Sequence, residues 1–443
     1  MARKLFGTDG VRGVAGEFLT AELALGLARA ATERERERGT ARPRVLVIRD
    51  TRESGEMLES AVAAGVAAAG GEALLGGVLP TPAAPLLLHA YGFDLAAVLS
   101  ASHNPYDDNG IKFFAADGFK LSDDAELAIE RALESPPAPT RAVGRVRALH
   151  GTREDYLRAL HTRFAALDLT GRDVVLDCAN GATAHVAPEI FRRLGAKVTA
   201  LAVEPDGRNI NAGCGSTHLG PLTDAVRSGG HDLGFAFDGD GDRLLAVDRA
   251  GAVVDGDELL ALAALHLRET GRLPGGGVAV TVMTNYGFHT AMRAVGIEVA
   301  TTSVGDRYVL EELRARGWSL GGEQSGHVIE MGFNATGDGT ATALLTLEAL
   351  GPRDLADRGA MEKLPQTLVN VRVGDRDAVM ASGDLAAAIE RENEALAGRG
   401  RVLVRPSGTE PVVRVMVEAP DADEADEVTG RLVALVENVT APA

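Results

Sequence analysis

Three stretches of the chain repeat one scheme, and that repetition limits the fold more than any other feature. "RVLVIRDTRESG" (44–55) is an apolar run followed by a polar, Gly-containing loop, and an Ala-rich helical pattern comes after it. "DVVLDCANGATAHVAPEIFRRLGAKVTAL" (173–201) repeats the order: apolar run, polar loop, helix, Gly195, second apolar run. "GVAVTVMTNYGFHTAMRAVGIEVATTSVGD" (277–306) does so again, with Gly296 ending the helix. Short apolar runs alternating with helices imply a parallel sheet with helices on its faces. Three such units imply three α/β domains built alike.

The tail breaks the pattern. "QTLVNVRVGD" and "RVLVRPSGTEPVVRVMVEA" read as strands around turns, and the amphipathic "ADEADEVTGRLVALVENV" follows. We expect mixed, mostly parallel sheets in three similar α/β domains, 1–153, 154–256 and 257–364. A smaller α+β domain, 365–443, completes them around a central cleft. "ESPPAPTRAVG" (134–144) reads as a loop late in the first domain. A length of 443 residues suits several domains.

The formal net charge of −18 argues against a nucleic-acid partner, which would want a basic face. The longest nearly pure apolar stretch, "AVAAGVAAAG" (61–70), is too short to cross a bilayer, so no membrane association is expected. No apolar segment follows the basic residues of "MARKLFGTDG", so no signal peptide is expected. Cys178 and Cys214 lack metal-type spacing, which suits a reducing cytoplasm.

Four clusters carry candidate chemistry. "SASHNP" (100–105) ends the apolar "DLAAVL" and reads either as an Asn-Pro turn or as a nucleophilic Ser102 at a strand's carboxyl end. "DGDGDR" (238–243) follows "LGFAF". In an extended segment Asp238, Asp240 and Asp242 point the same way, and three converging carboxylates call for a hard divalent ion. An EF-hand competes poorly, because its sixth and twelfth positions would be Arg243 and Arg249. "RPSGTEP" (405–411) is either a hairpin or a phosphate cradle, with Arg405, Ser407, Gly408, Thr409 and the nearby Arg414 as donors. "GGEQSGH" (321–327) offers Glu323, Ser325 and His327, either as sugar contacts or as incidental residues of a Gly-rich turn.

Some familiar chemistries are missing. There is no Gly-Lys dipeptide and hence no Walker A loop, and neither GxGxxG after a strand nor GxSxG occurs. In an extended segment Ser102 and His103 would face opposite ways, making His103 a poor base for the serine. A serine lacking a base, an Asp-rich divalent site and a phosphate cradle fit phosphoryl transfer, with a phosphorylated Ser102 completing the metal's oxygen set.

"SASHNP", "DGDGDR", "GGEQSGH" and "RPSGTEP" occur in the order and rough spacing of the α-D-phosphohexomutase superfamily, which the chain resembles along its whole length. "FGTDGVRG" (6–13), Ser100, "NINAGCGSTH" (209–218), "VGDRYV" (304–309) and Gln324 resemble its amino-sugar branch, with Gly213 where that branch commonly has Asn. The resemblance implies a phosphoserine at Ser102 and one Mg2+ per chain on Ser102, Asp238, Asp240 and Asp242. Arg243 and His103 would stabilise transferring charge. Arg12, Lys112 and His327 would move the proton or steady the reacting oxygens. Glu323, Ser325 and the loop of Gly305, Asp306 and Arg307 would hold the sugar, while Arg405, Ser407, Gly408, Thr409 and Arg414 grip the phosphate that does not react. The implied reaction interconverts glucosamine 6-phosphate and glucosamine 1-phosphate through glucosamine 1,6-bisphosphate, also the activator, feeding UDP-N-acetylglucosamine and cell-wall precursors. Mannose or glucose phosphates on the same scaffold are the nearest alternative. A metal-dependent phosphatase or kinase and a non-enzymatic sugar-phosphate binder are more distant ones. The phosphosugar is the one partner implied, and a homodimer stays open.

Overall fold

The computed structural model describes residues 4–134, 143–407 and 411–440. The "ESPPAPTRAVG" loop falls largely outside them, as do Gly408 and Thr409. Contacts divide the chain into one unit of residues 1–283 and 300–358, and another of residues 284–299 and 359–443.

In the larger unit, the first sheet has six strands in the spatial order Val11–Val14, Asp108–Ala115, Leu95–Leu99, Arg44–Arg49, Glu72–Val78, Arg145–Ala148. Arg44–Arg49 pairs in parallel with both of its neighbours, whereas Asp108–Ala115 runs antiparallel to both of its own. All five residues of Leu95–Leu99 are buried, which is why this strand reads as an unbroken apolar run. Helices Ala21–Glu37 and Ser54–Ala68 pack against each other, and Leu27, Val47, Val62 and Leu99 share one core.

A second sheet, in the order Val253–Val254, Leu244–Asp248, Leu233–Phe237, Asp173–Asp177, Lys197–Leu201, has both strands of the repeated scheme at one end. Asp173–Asp177 is parallel to both neighbours. A third sheet contains Gly277–Thr281 parallel to Leu320–Gly322, which turns back antiparallel into Val328–Glu330. Two helices here carry side-chain caps that satisfy orphan N–H groups: Asp255 on Gly256–Glu269 and Asp338 on Gly339–Leu350.

The smaller unit is a three-stranded antiparallel sheet, Gln366–Arg372, Val412–Glu418, Arg401–Pro406. Gly383–Ala395 and Ala422–Thr440 are its main helices, and Val413, Val415, Leu432 and Val436 lie in its core. Helix Tyr286–Ala294 groups with this sheet. The buried Glu418 carboxylate explains the grouping, since it accepts from Tyr286 N–H at 2.9 Å and from Arg401 Nε at 2.7 Å. Among the described residues no helix is long and apolar enough to cross a membrane.

Candidate functional site

Ser102 follows the buried strand Leu95–Leu99 and adopts a left-handed backbone, φ 54°. That conformation is costly for a residue with a side chain and persists only where its surroundings impose it. Its Oγ donates to Asp238 Oδ2 at 2.5 Å. His103 Nδ1 lies 3.3 Å from the same oxygen. The two side chains therefore do not face opposite ways, as an extended backbone would require, because the chain turns at Ser102 instead of continuing as a strand. Burial and the nearby Arg243 and Arg12 push the His103 imidazole down to about 4. It is thus neutral at neutral pH, so it contacts the serine without adding charge.

Asp238, Asp240 and Asp242 are all buried, each with a carboxylate oxygen within 4.8 Å of the others. They converge as expected, but by another route. The strand ends at Phe237 and the loop turns through Gly241 at φ 71°, so a turn and not strand alternation gathers them. A Cβ on Gly239 would lie 2.6 Å from Ser102 O, so only glycine lets the two loops approach this closely.

The carboxylates are embedded among cations. Lys112, itself buried, places Nζ 2.9 Å from Asp240 Oδ2, 3.0 Å from Asp9 Oδ2 and 3.8 Å from Asp242 Oδ2. Thr81 Oγ1 donates to Asp240 Oδ2 at 2.6 Å, and Arg243 N–H donates to Asp238 Oδ1 at 3.1 Å. Burial and the negative charges of Asp242 and Asp240 hold the Asp238 carboxyl well above the usual range. Burial works the same way on Asp242, but His327, Lys112 and Arg243 outweigh it and hold that carboxyl below the usual range. Burial favours the neutral form of Lys112, yet Asp240, Asp9 and Asp242 outweigh it and keep the ammonium protonated. His327 Nε2 accepts from Gly337 N–H at 3.1 Å, leaving Nδ1 to face Asp242 Oδ2 at 3.6 Å.

This donor set fits a hard divalent cation. Asp240 Oδ1 and Asp242 Oδ1 are buried and accept no hydrogen bond, so lone pairs remain for a ligand. All-oxygen donors suit Mg2+, Ca2+ or Mn2+.

The remaining expected residues divide between the two units. In the larger unit, Arg12 Nη1 donates to Ala101 O at 3.3 Å, and its guanidinium also pairs with Asp9. Glu323 Oε1 accepts from Gly305 N–H at 3.1 Å, and Ser325 is exposed beside it. Asp306 pairs with Lys120 at 2.5 Å and lies 3.6 Å from His327 Nε2. Arg307 is directed instead to Asp123 and to Glu126, the latter at 2.9 Å. In the smaller unit, Arg405 and Arg414 are directly opposed across two strands. Arg414 Nη2 reaches Ser407 Oγ at 3.5 Å, and Arg376 donates to the Ser407 carbonyl. Burial and the neighbouring Arg414 lower the Arg405 guanidinium from its ordinary value.

Sequence reasoning did not find Asp9, Lys120, Thr81 or Arg376. Asp9 stood inside the quoted "FGTDGVRG", but nothing local shows that it meets Lys112 and Lys120.

A serine hydroxyl on a buried carboxylate triad, ringed by fixed cations at the ends of parallel strands, defines a phosphoryl-transfer enzyme of repeated α/β domains. Family models for phosphoglucomutase/phosphomannomutase match in succession: alpha/beta/alpha domain I over residues 3–138, domain II over 154–251, domain III over 255–364 and the C-terminal domain over 368–435. The chain belongs to this family and is a mutase, an isomerase by class. It is 53% identical over 437 residues to the phosphoglucosamine mutase of Moorella thermoacetica, covering 97% of this chain and 98% of that protein. Against the phosphoglucosamine mutase of Streptomyces avermitilis it is 52% identical over 442 residues, with 97% and 98% covered. Among solved structures, a phosphoglucomutase/phosphomannomutase family protein of Burkholderia thailandensis superposes with TM-score 0.85 at 26% identity, covering 99% of this chain and 98% of that one. The N-acetylphosphoglucosamine mutase of Aspergillus fumigatus, in complex with GlcNAc-6P and magnesium, shares the fold with TM-score 0.68 at 18% identity over 99% and 96% of the chains.

Proposed function

We propose that the enzyme interconverts glucosamine 6-phosphate and glucosamine 1-phosphate through glucosamine 1,6-bisphosphate, with Ser102 as the phosphate carrier. The observation that carries the mechanism is Ser102 Oγ, 2.5 Å from Asp238 within a triad that keeps spare oxygens. The choice of an amino sugar rests on full-length similarity to phosphoglucosamine mutases.

Asp238, Asp240 and Asp242, with Ser102, would hold Mg2+, which when bound neutralises charge on the transferring group. The sugar O1 bonds to phosphorus as the bond from phosphorus to Ser102 Oγ breaks. The proton lost by the sugar hydroxyl ends on Ser102 Oγ, so the transfer balances. The bisphosphate then turns end for end, and the 6-phosphate returns to Ser102 by the reverse of the same step. Lys112, held protonated, acts as a fixed positive charge, and Arg12 does the same. His327 borders the path of the proton, whereas His103 and Arg243 are contacts for the transferring group beside the serine. Glu323, Ser325 and the 305–306 backbone contact the sugar, and Arg405, Ser407 and Arg414 grip the non-reacting phosphate. We propose four domains, 1–153, 154–256, 257–364 and 365–443, to organise these parts, with helix Tyr286–Ala294 of the third grouped with the C-terminal sheet. Free Cys178 and Cys214 suit a cytoplasmic enzyme.

Turnover of glucosamine, glucose and mannose 6-phosphates is the test, combined with intact-mass analysis of Ser102 before and after glucosamine 1,6-bisphosphate. We expect preference for the amino sugar, one phosphoryl group on Ser102 and no turnover by Ser102→Ala. A clear preference for a non-amino sugar would overturn the substrate, and an unmodified Ser102 under both conditions would overturn the mechanism.

A further inference from the structure

Main-chain hydrogen bonds do not explain how Ser102 holds its left-handed backbone; buried side chains do. Its N–H donates to Ser100 Oγ at 2.9 Å. Its carbonyl accepts from Arg52 Nη2 at 3.1 Å and from Asn211 Nδ2 at 3.0 Å. The same two donors also meet the Asn104 carbonyl, at 2.6 and 3.0 Å. Arg52 and Asn211 therefore grip the same pair of carbonyls from two separate loops.

Neither donor is an incidental surface group. Arg52 is wholly buried and forms an ion pair with the equally buried Asp50. Ser100 Oγ in turn donates to Asp50 Oδ2 at 2.6 Å, so Asp50 fixes both the guanidinium and the hydroxyl that receives the Ser102 N–H. Asn211, buried in the "NINAGCGSTH" segment, is itself left-handed at φ 59° and donates its N–H to Ala179 O at 2.9 Å. Arg52 Nη2 meets both carbonyls while Nη1 pairs with Asp50, and the planar guanidinium holds these donors at a spacing that a lysine cannot reproduce.

We propose that Arg52 and Asn211 are positioning residues for phosphoryl transfer, holding the Ser102 backbone so that Oγ stays over Asp238 through every cycle. The proposal rests on Ser102 being the phosphate carrier. On each turnover the serine gains and loses close to two negative charges. A residue released from φ 54° would relax to an ordinary conformation and swing its oxygen off the triad. Misplacement on the scale of 1 Å costs about a hundredfold in rate.

Asn211→Leu removes the amide at similar size, and Arg52→Lys keeps the charge opposite Asp50 while losing the fork. Measured on the full-length enzyme with Mg2+, each is expected to lower kcat about tenfold or more while KM for glucosamine 6-phosphate stays within about threefold. The rate at which glucosamine 1,6-bisphosphate phosphorylates Ser102, followed by intact mass, should fall in parallel, with the melting temperature nearly unchanged for Asn211→Leu. Asn211→Gln, which retains the donor, should recover part of the loss. Wild-type kcat in both variants would overturn the proposal. So would a loss of activity that merely tracks the unfolded fraction. If wild-type Ser102 itself never accepts a phosphoryl group, the carrier reading fails and this proposal with it. A phosphorylated wild type with unaffected variants refutes the positioning role alone.

Discussion

Lys112 Nζ lies 2.9 Å from Asp240 Oδ2, and both side chains are 1% exposed. The same ammonium is 3.0 Å from Asp9 Oδ2, so one buried cation offsets carboxylates from two loops. Removing one partner of a buried ion pair costs about 3–5 kcal/mol, because the other charge stays behind unpaired. Lys112→Met should therefore lower the urea midpoint strongly and abolish turnover. Added Mg2+ should restore part of the stability, since a divalent ion on Asp240 and Asp242 replaces some of the lost charge. Urea unfolding with and without Mg2+ checks this, and an unchanged midpoint would contradict it.

The orphaned Asp240 Oδ1 and Asp242 Oδ1 predict a metal-linked stability. A ligand present at a hundred times its Kd stabilises the native state by about 2.7 kcal/mol. Chelator-treated enzyme should be inactive and should regain both activity and stability on titration with Mg2+. In Asp240→Asn the Mg2+-dependent gain should shrink. An identical gain in that variant would place the ion elsewhere.

Gly239 follows Asp238, which is 136 residues from Ser102, yet a Cβ on Gly239 would lie 2.6 Å from Ser102 O and 2.8 Å from Asn211 Nδ2. The obstruction includes main chain, which cannot step aside as a flexible side-chain end can. Gly239→Ala should push the serine loop off the triad and reduce kcat by about a hundredfold, with a smaller effect on stability. Steady-state kinetics beside thermal melts test this, and near-native kcat would refute it.

The sequence showed the chemistry more clearly than its assembly. Ser102 and the three aspartates stood out because polar, potentially ligating residues end buried apolar runs, which local pattern can reveal. The α/β repeat was legible for the same reason, since the period of apolar residues is itself local. The backbone at the site was not. An extended reading separated Ser102 from His103 and aligned the aspartates by strand alternation, whereas φ 54° at Ser102 and φ 71° at Gly241 do the work by turning. Nor could local pattern show Thr81 on Asp240 or Arg52 on the Ser102 carbonyl, because those partners are 159 and 50 residues apart. The assignment of helix Tyr286–Ala294 to the C-terminal sheet depends on Glu418, 132 residues beyond Tyr286.

Asp338 sets a pH dependence of stability. It caps helix Gly339–Leu350 through Ala341 N–H at 2.9 Å and accepts from Tyr156 Oη at the same distance. Burial nevertheless dominates and pushes its carboxyl up to about 6, whereas an unfolded aspartate titrates near its ordinary 3.8. The folded state thus binds the proton more tightly, so this group favours folding most below the unfolded value. Its contribution is lost as pH rises between about 4 and 6, amounting to about 3 kcal/mol across that window. Asp338→Asn keeps a capping oxygen but cannot titrate. The wild-type-minus-variant difference in unfolding free energy, taken from urea curves at intervals across that window, should fall with rising pH and level off above about 6. A flat difference would show that the buried carboxyl titrates normally.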